Sequence, residues 1–198
     1  MRYLPTIPRT ARRIIAVIAA ASSAGLIAAT VTSSSGAALA SDTARTTAAA
    51  VPACAAADLG VWVAVSQSDG AAGSIFYPLQ FTNLSRHACA MRGFPGVSAI
   101  DRNGHQLGSP AGWAHTRPVR TVVLAPGATA HAILRYGDVT VATSPGCHPV
   151  SSMFELRVYP PNQRQATFAA FSVEACSHTG PVYLDITPLQ AGVGTRNG

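Results

Sequence analysis

From Leu59 onward the chain alternates. Leu59, Val61, Val63 and Val65 stand among small or polar neighbours, Trp62 apart, and Ile75, Tyr77, Leu79 and Phe81 repeat the rhythm. Successive strand side chains point to opposite faces, so this period of two predicts strands with one face on a core. Pro78 lies on the other face of the second run. With no N–H to give a ladder, it predicts an edge strand or a bulge there. Trp62, within a strongly apolar strand, is expected in the core. Further alternating runs cover residues 154–159, 167–173 and 182–187. Between the runs stand turn signals. Phe94-Pro95-Gly96 predicts a type II turn with Gly96 at positive φ. Asn103-Gly104 predicts a hairpin between 97–101 and 105–107, and Ala125-Pro126-Gly127 another between 119–124 and 128–136. No window after residue 50 sustains a helical period. Together these features predict an all-β, immunoglobulin-like Greek-key β-sandwich of about seven to nine strands. A β-barrel is the alternative, which periodicity does not separate.

The first forty residues read differently. Arg9, Arg12 and Arg13 precede an apolar run from Ile14 to Val31, and Ala38-Leu39-Ala40 supplies a small-x-small cleavage pattern. This predicts a signal peptide over 1–40 and export of the remainder, with cuts after Ala37 or Ala50 also meeting the rule. Arg12-Arg13 with Ile14-Ile15 weakly resembles a twin-arginine signal. Left uncleaved, the apolar run would be the chain's attachment to a membrane. Residues 41–53 read as a flexible Ala/Thr-rich linker, 54–188 as the β domain and 189–198 as a flexible tail. The signal changes the charge argument. The whole chain carries a formal +6, but beyond residue 40 ten scattered arginines face eight acids, a net +2. Nucleic acid is therefore not an expected partner.

Cys54, Cys89, Cys147 and Cys176 all follow the expected signal. An even count in an exported chain predicts two disulfides. Of three possible pairings, Cys54–Cys89 and Cys147–Cys176 are expected, because each joins segments flanking only one or two predicted strands. Histidines beside Cys147 and Cys176 raise a metal site, but neither C-x2-C nor H-x3-5-H spacing occurs, so no metal ligand is assigned.

One ordered succession of short motifs is specific. It runs from Cys54 with Asp58-Leu59 through Gly70-Ala71-Ala72-Gly73-Ser74, Tyr77-Pro78-Leu79 and Phe81-Thr82-Asn83-Leu84-Ser85 to Cys89. Arg92-Gly93-Phe94-Pro95-Gly96-Val97-Ser98, Gly108-Ser109-Pro110-Ala111, Leu124-Ala125-Pro126-Gly127, Cys147-His148-Pro149 and Leu156-Arg157-Val158-Tyr159-Pro160-Pro161 complete it. From Cys54 to about Pro188 this string resembles the secreted actinobacterial domain of unknown function numbered 4232. The resemblance implies exported proteins or lipoproteins of high-GC Gram-positive bacteria and a place at the envelope. It implies no reaction, cofactor or functional residue. No lipobox cysteine follows the apolar run, so lipid anchoring is not expected here.

Candidate chemistry is sparse. The nucleophile elbow G-x-S-x-G is absent, since Ile100 stands where Gly96-Val97-Ser98 would need its last glycine. Glu155 and Glu174 are the only glutamates, and Glu155, like Asp185, alternates with apolar residues as a solvated strand position does. His131 alternates outward from Ala130, Ala132 and Leu134, and is read with the other histidines as scattered surface. Only Met91 and Met153 could join them in a copper site. No catalytic residue and no cofactor is assigned. The remaining candidate is the loop from Pro110 to Pro118, where Trp113, His115 and Arg117 could form a ligand-binding surface. The stronger expectation for Trp113 is that it folds back to cap the core. The resulting expectation is a secreted, non-catalytic binding module, with cell-wall glycan or another envelope protein as partner. A secreted hydrolase with a dispersed active site is the alternative.

Overall fold

The computed structural model describes residues 50–140, 146–150, 155–180 and 182–195. The expected signal peptide, the linker up to residue 49, Phe154 and residues 196–198 lie outside them. In chain order the strands are β1 (Leu59–Val63), β2 (Asp69–Ala71), β3 (Ser74–Asn83), β4 (Cys89–Arg92), β5 (Gly96–Ile100), β6 (Gln106–Leu107), β7 (Gly112–Trp113) and β8 (Thr121–Leu124). There follow β9 (Thr129–Gly137), β10 (Pro149–Val150), β11 (Glu155–Tyr159), β12 (Thr167–Ala170), β13 (Ala175–Cys176), β14 (Leu184–Ile186) and β15 (Gln190–Ala191). Eight of these have four or more residues, and the rest are two- or three-residue pieces that finish the sheets.

The architecture is all-β and sandwich-like. A seven-stranded sheet runs β1-β3-β9-β14-β7, with β2 added to β3 and β15 to β9. A four-stranded sheet runs β12-β11-β5-β6, and β4-β8 and β10-β13 form two small ladders. The sheets are open, so the barrel alternative is set aside. Leu79, Phe81, Leu134 and Leu184 from the large sheet share one buried cluster with Val97, Leu156 and Val158 from the other. Side chains of this size each stabilise by about 1.5–3 kcal/mol when fully removed from water.

The disulfides close as expected. Cys54–Cys89 has Cα atoms 4.8 Å apart and Cys147–Cys176 5.0 Å. The first staples the chain's entry to β4, where Ala53 pairs with Ala90 and the Ala90 N–H donates to the Pro52 carbonyl at 2.8 Å. Pro52 and Ala53, read as linker, thus already belong to the domain. Paired cysteines are the mark of an oxidising, extracytoplasmic compartment. Among the described residues no helix is long and apolar enough to cross a membrane.

Several expectations need correction, each for a local reason. β3 is not an edge, since β1 and β9 flank it. Pro78 is tolerated because β1 ends one residue short of it. Ala64 still donates to the Pro78 carbonyl at 2.8 Å, while the Ala64 carbonyl, denied a donor, accepts from Gln67 at 2.9 Å as the chain turns away in a 3-10 segment. In Phe94-Pro95-Gly96 the positive φ belongs to Gly93, at 111°, and Gly96 is ordinary strand opposite Tyr159. Ala125-Pro126-Gly127 does form a turn, closed by Ala128 N–H to the Ala125 carbonyl at 2.9 Å with Gly127 at φ 75°. It joins two sheets rather than a hairpin, because β8 pairs with β4 and β9 with β3. Asn103-Gly104 behaves as expected between β5 and β6. There the Asp101 carboxylate accepts the backbone N–H groups of His105 and Asn103, which holds its pKa below the usual carboxylate range, the His105 bond contributing most.

The chain after Pro188 is not a free tail as far as residue 194. Leu189 is fully buried, β15 pairs with β9, and Gly194 is hydrogen-bonded to the Gln80 side chain. This C-terminal strap lies on the outer face of the large sheet. It buries His131, read as surface, to 4% exposure. Trp62 faces the same outer side, beside Gln80, and is 43% exposed rather than core.

Candidate functional site

The loop holding Trp113 is pinned at both ends to different sheets. The Ala111 N–H donates to the Val97 carbonyl of β5 at 2.8 Å, and the Ala114 N–H to the Ile186 carbonyl of β14 at 2.9 Å. Between these points β7 runs parallel to β14, with Gly112 opposite Asp185 and Trp113 opposite Ile186. Glycine at 112 leaves room for Asp185, because a Cβ there would lie 2.6 Å from Asp185 Oδ1 and force the carboxylate to shift. That carboxylate is itself held by an ion pair with Arg135, whose Nε donates to Ser74 Oγ at 3.1 Å. Sequence thus sets the docking of β7 and with it the position of the next residue.

That residue is exposed. Trp113 keeps 62% of its surface in water, so the expected core cap is corrected. Its burial is limited because it sits on a two-residue strand at the sheet's edge. What steadies it is Phe94, whose ring stacks on the indole at 5.1 Å between centroids and 10° between planes. His115 meets the same phenyl ring edge-on at 4.8 Å. Aromatic pairs of this kind contribute about 0.5–1.5 kcal/mol beyond their buried area. Phe94 is in turn set by buried Pro95 and by Gly93, whose carbonyl accepts from Leu189 N–H at 3.0 Å. The result is an aromatic ledge of Phe94, Trp113 and His115 built on a fixed scaffold.

Of the three sequence candidates the ledge unites two. Arg117 lies apart, lining a cleft with Arg120 and the strap. Phe94 was missed, because nineteen positions separate it from Trp113 and its proline and glycine neighbours marked it only as a turn. The other candidates do not assemble chemistry. Ser98 is buried in β5 opposite Arg157 on β11, and Glu155 is exposed at the start of β11. His148 and His178 stand beside the Cys147–Cys176 bridge with ring centroids 6.1 Å apart. Among the described residues no group of three or more His, Cys, Asp or Glu converges on one point. The buried tyrosines are structural: Tyr136 and Tyr183 donate to the Glu174 and Leu107 carbonyls, each at 3.0 Å.

Comparison with known proteins identifies a family. The model of a family described as Domain of unknown function (DUF4232) matches residues 54–190. No curated protein and no solved structure matches the chain.

Proposed function

Since the chain belongs to the DUF4232 family, whose description supplies no activity to inherit, we propose a function from the ledge: an exported, non-catalytic module that binds cell-wall glycan at the envelope. The observation that carries this reading is an indole 62% exposed yet stacked on Phe94. An aromatic face fixed in water stacks on the C–H face of a sugar ring at little cost in side-chain entropy, and His115 beside it can hydrogen-bond to a hydroxyl. Two disulfides and the N-terminal apolar segment support the location.

The test is co-sedimentation of the purified protein with isolated cell walls of the producing organism, beside a Trp113→Ala variant. Wall binding that falls about tenfold or more in the variant, as loss of one stacking contact of about 1.4 kcal/mol requires, supports the reading. Binding retained in full moves the surface elsewhere and leaves an envelope protein or another wall component as partner. No binding by either form overturns the module.

A further inference from the structure

The outer face of the large sheet carries a polar row in direct register: Gln80 on β3, His131 on β9 and Gln190 on β15. Gln80 is fully used. Its Nε2 donates to the Gly194 carbonyl at 2.8 Å, and its Oε1 accepts the Gly194 N–H at 3.1 Å. His131 is half used. Its Nδ1 donates to the Gly192 carbonyl at 3.0 Å, which places the proton on Nδ1 and a lone pair on Nε2 of the neutral ring. That Nε2 is buried and has no hydrogen-bond partner. Buried acceptors without a donor are uncommon, and this one asks for a partner.

His131 also lines a cleft of about 380 Å³ together with Arg117, Arg120, Thr121 and Gln190. Gly192 occupies the Nδ1 side of the ring. Gly194 packs against the Cγ–Cδ2 side, where an added Cβ would come within 2.7 Å. The strap thus takes those two sides of the ring, while His131 is among the residues that line the cleft. Both arginines are exposed, and neither makes an ion pair or hydrogen bond among the described residues. No carboxylate lines the cleft. Two unpaired positive charges therefore share one hollow with a buried acceptor that lacks a donor.

We propose that this cleft binds free inorganic phosphate, which still carries a proton at neutral pH. The charged oxygens take the two guanidiniums, whose planar donors match oxyanions, and the P–OH donates to His131 Nε2. Nε2 is closed to water in the empty cleft, so side chains around it must part as the ligand enters. This site is independent of the aromatic ledge and stands whether or not the ledge binds glycan.

The experiment is calorimetric titration of the full chain with inorganic phosphate, methyl phosphate and sulfate at low ionic strength, with nitrogen NMR of the His131 ring. Saturable phosphate binding with a Kd of about 1 mM or tighter is expected, with a shifted Nε2 resonance. An Arg117→Ala/Arg120→Ala variant, altered only at exposed positions, should bind about tenfold or more weakly. Sulfate, which offers no proton at neutral pH, should also bind about tenfold more weakly. Methyl phosphate, which has lost most of its second proton at neutral pH, should bind more weakly than free phosphate, and equal binding would overturn the role of the P–OH donor. The proposal is overturned by absence of saturation, by unchanged affinity in the double variant, by equal affinity for sulfate, or by an unmoved Nε2 signal.

Discussion

β9 is covered on both sides, and the two covers differ. On its inner side Ala130, Ala132, Leu134 and Tyr136 are buried against the apolar side chains of the opposite sheet. On its outer side His131 is equally buried, but under a single strap of backbone held by Gln80 and by the imidazole itself. The inner cover is many weak, non-directional contacts. The outer cover is a few directional bonds whose loss exposes the face at once. The contrast teaches that alternation along a strand reports which way a side chain points, whereas exposure depends on what later segments lie over it.

The sharpest way to break this contrast is to weaken each face in turn. Leu134→Ala should lower unfolding stability by about 2–5 kcal/mol, seen as a lower urea midpoint at unchanged slope. Gln80→Ala should cost less, about 1–2 kcal/mol for the two hydrogen bonds to Gly194, and should speed amide exchange in the strap before the rest of the sheet. An equal cost for both would mean that the outer face is a second core. The gentlest probe is alkali. Burial pushes the Tyr136 phenol up to about 12, and Tyr183 further still. The folded state therefore favours the neutral phenols. Their contribution is complete below about pH 10 and disappears as pH climbs through the raised folded-state values. Phenolate absorbance should accordingly lag that of free tyrosine, and a single midpoint near pH 10 for all the tyrosines would show that water reaches the inner face.

Much of the fold was legible in the sequence, for a physical reason: the inner faces of β1, β3, β9 and β11 are written as local alternation, and the cysteines pair across neighbouring segments. Pro78 was read correctly as a residue without a donor, but its remedy lay fourteen residues upstream, at Ala64, where β1 ends. The strap was not legible, because Leu189 and Val193 are bulky apolar residues isolated among Gln, Ala and Gly, and Gly194 finds its partner Gln80 more than a hundred positions away. The candidate site divides the same way. Trp113 and His115 share a loop and could be suspected together, whereas Phe94 on the ledge and His131 in the cleft reach their places through long-range packing that no local pattern records.

The short strand β7 has one more consequence. By accepting a place beside β14, it covers the rim of the large sheet with two residues in parallel pairing, and the chain leaves again at Ala114. A rim so capped offers another molecule no extended row of free backbone groups to pair with, which guards the protein against edge-to-edge aggregation. The guard depends on Gly112. Any larger side chain there would press on the Asp185 carboxylate and force it or the cap to shift.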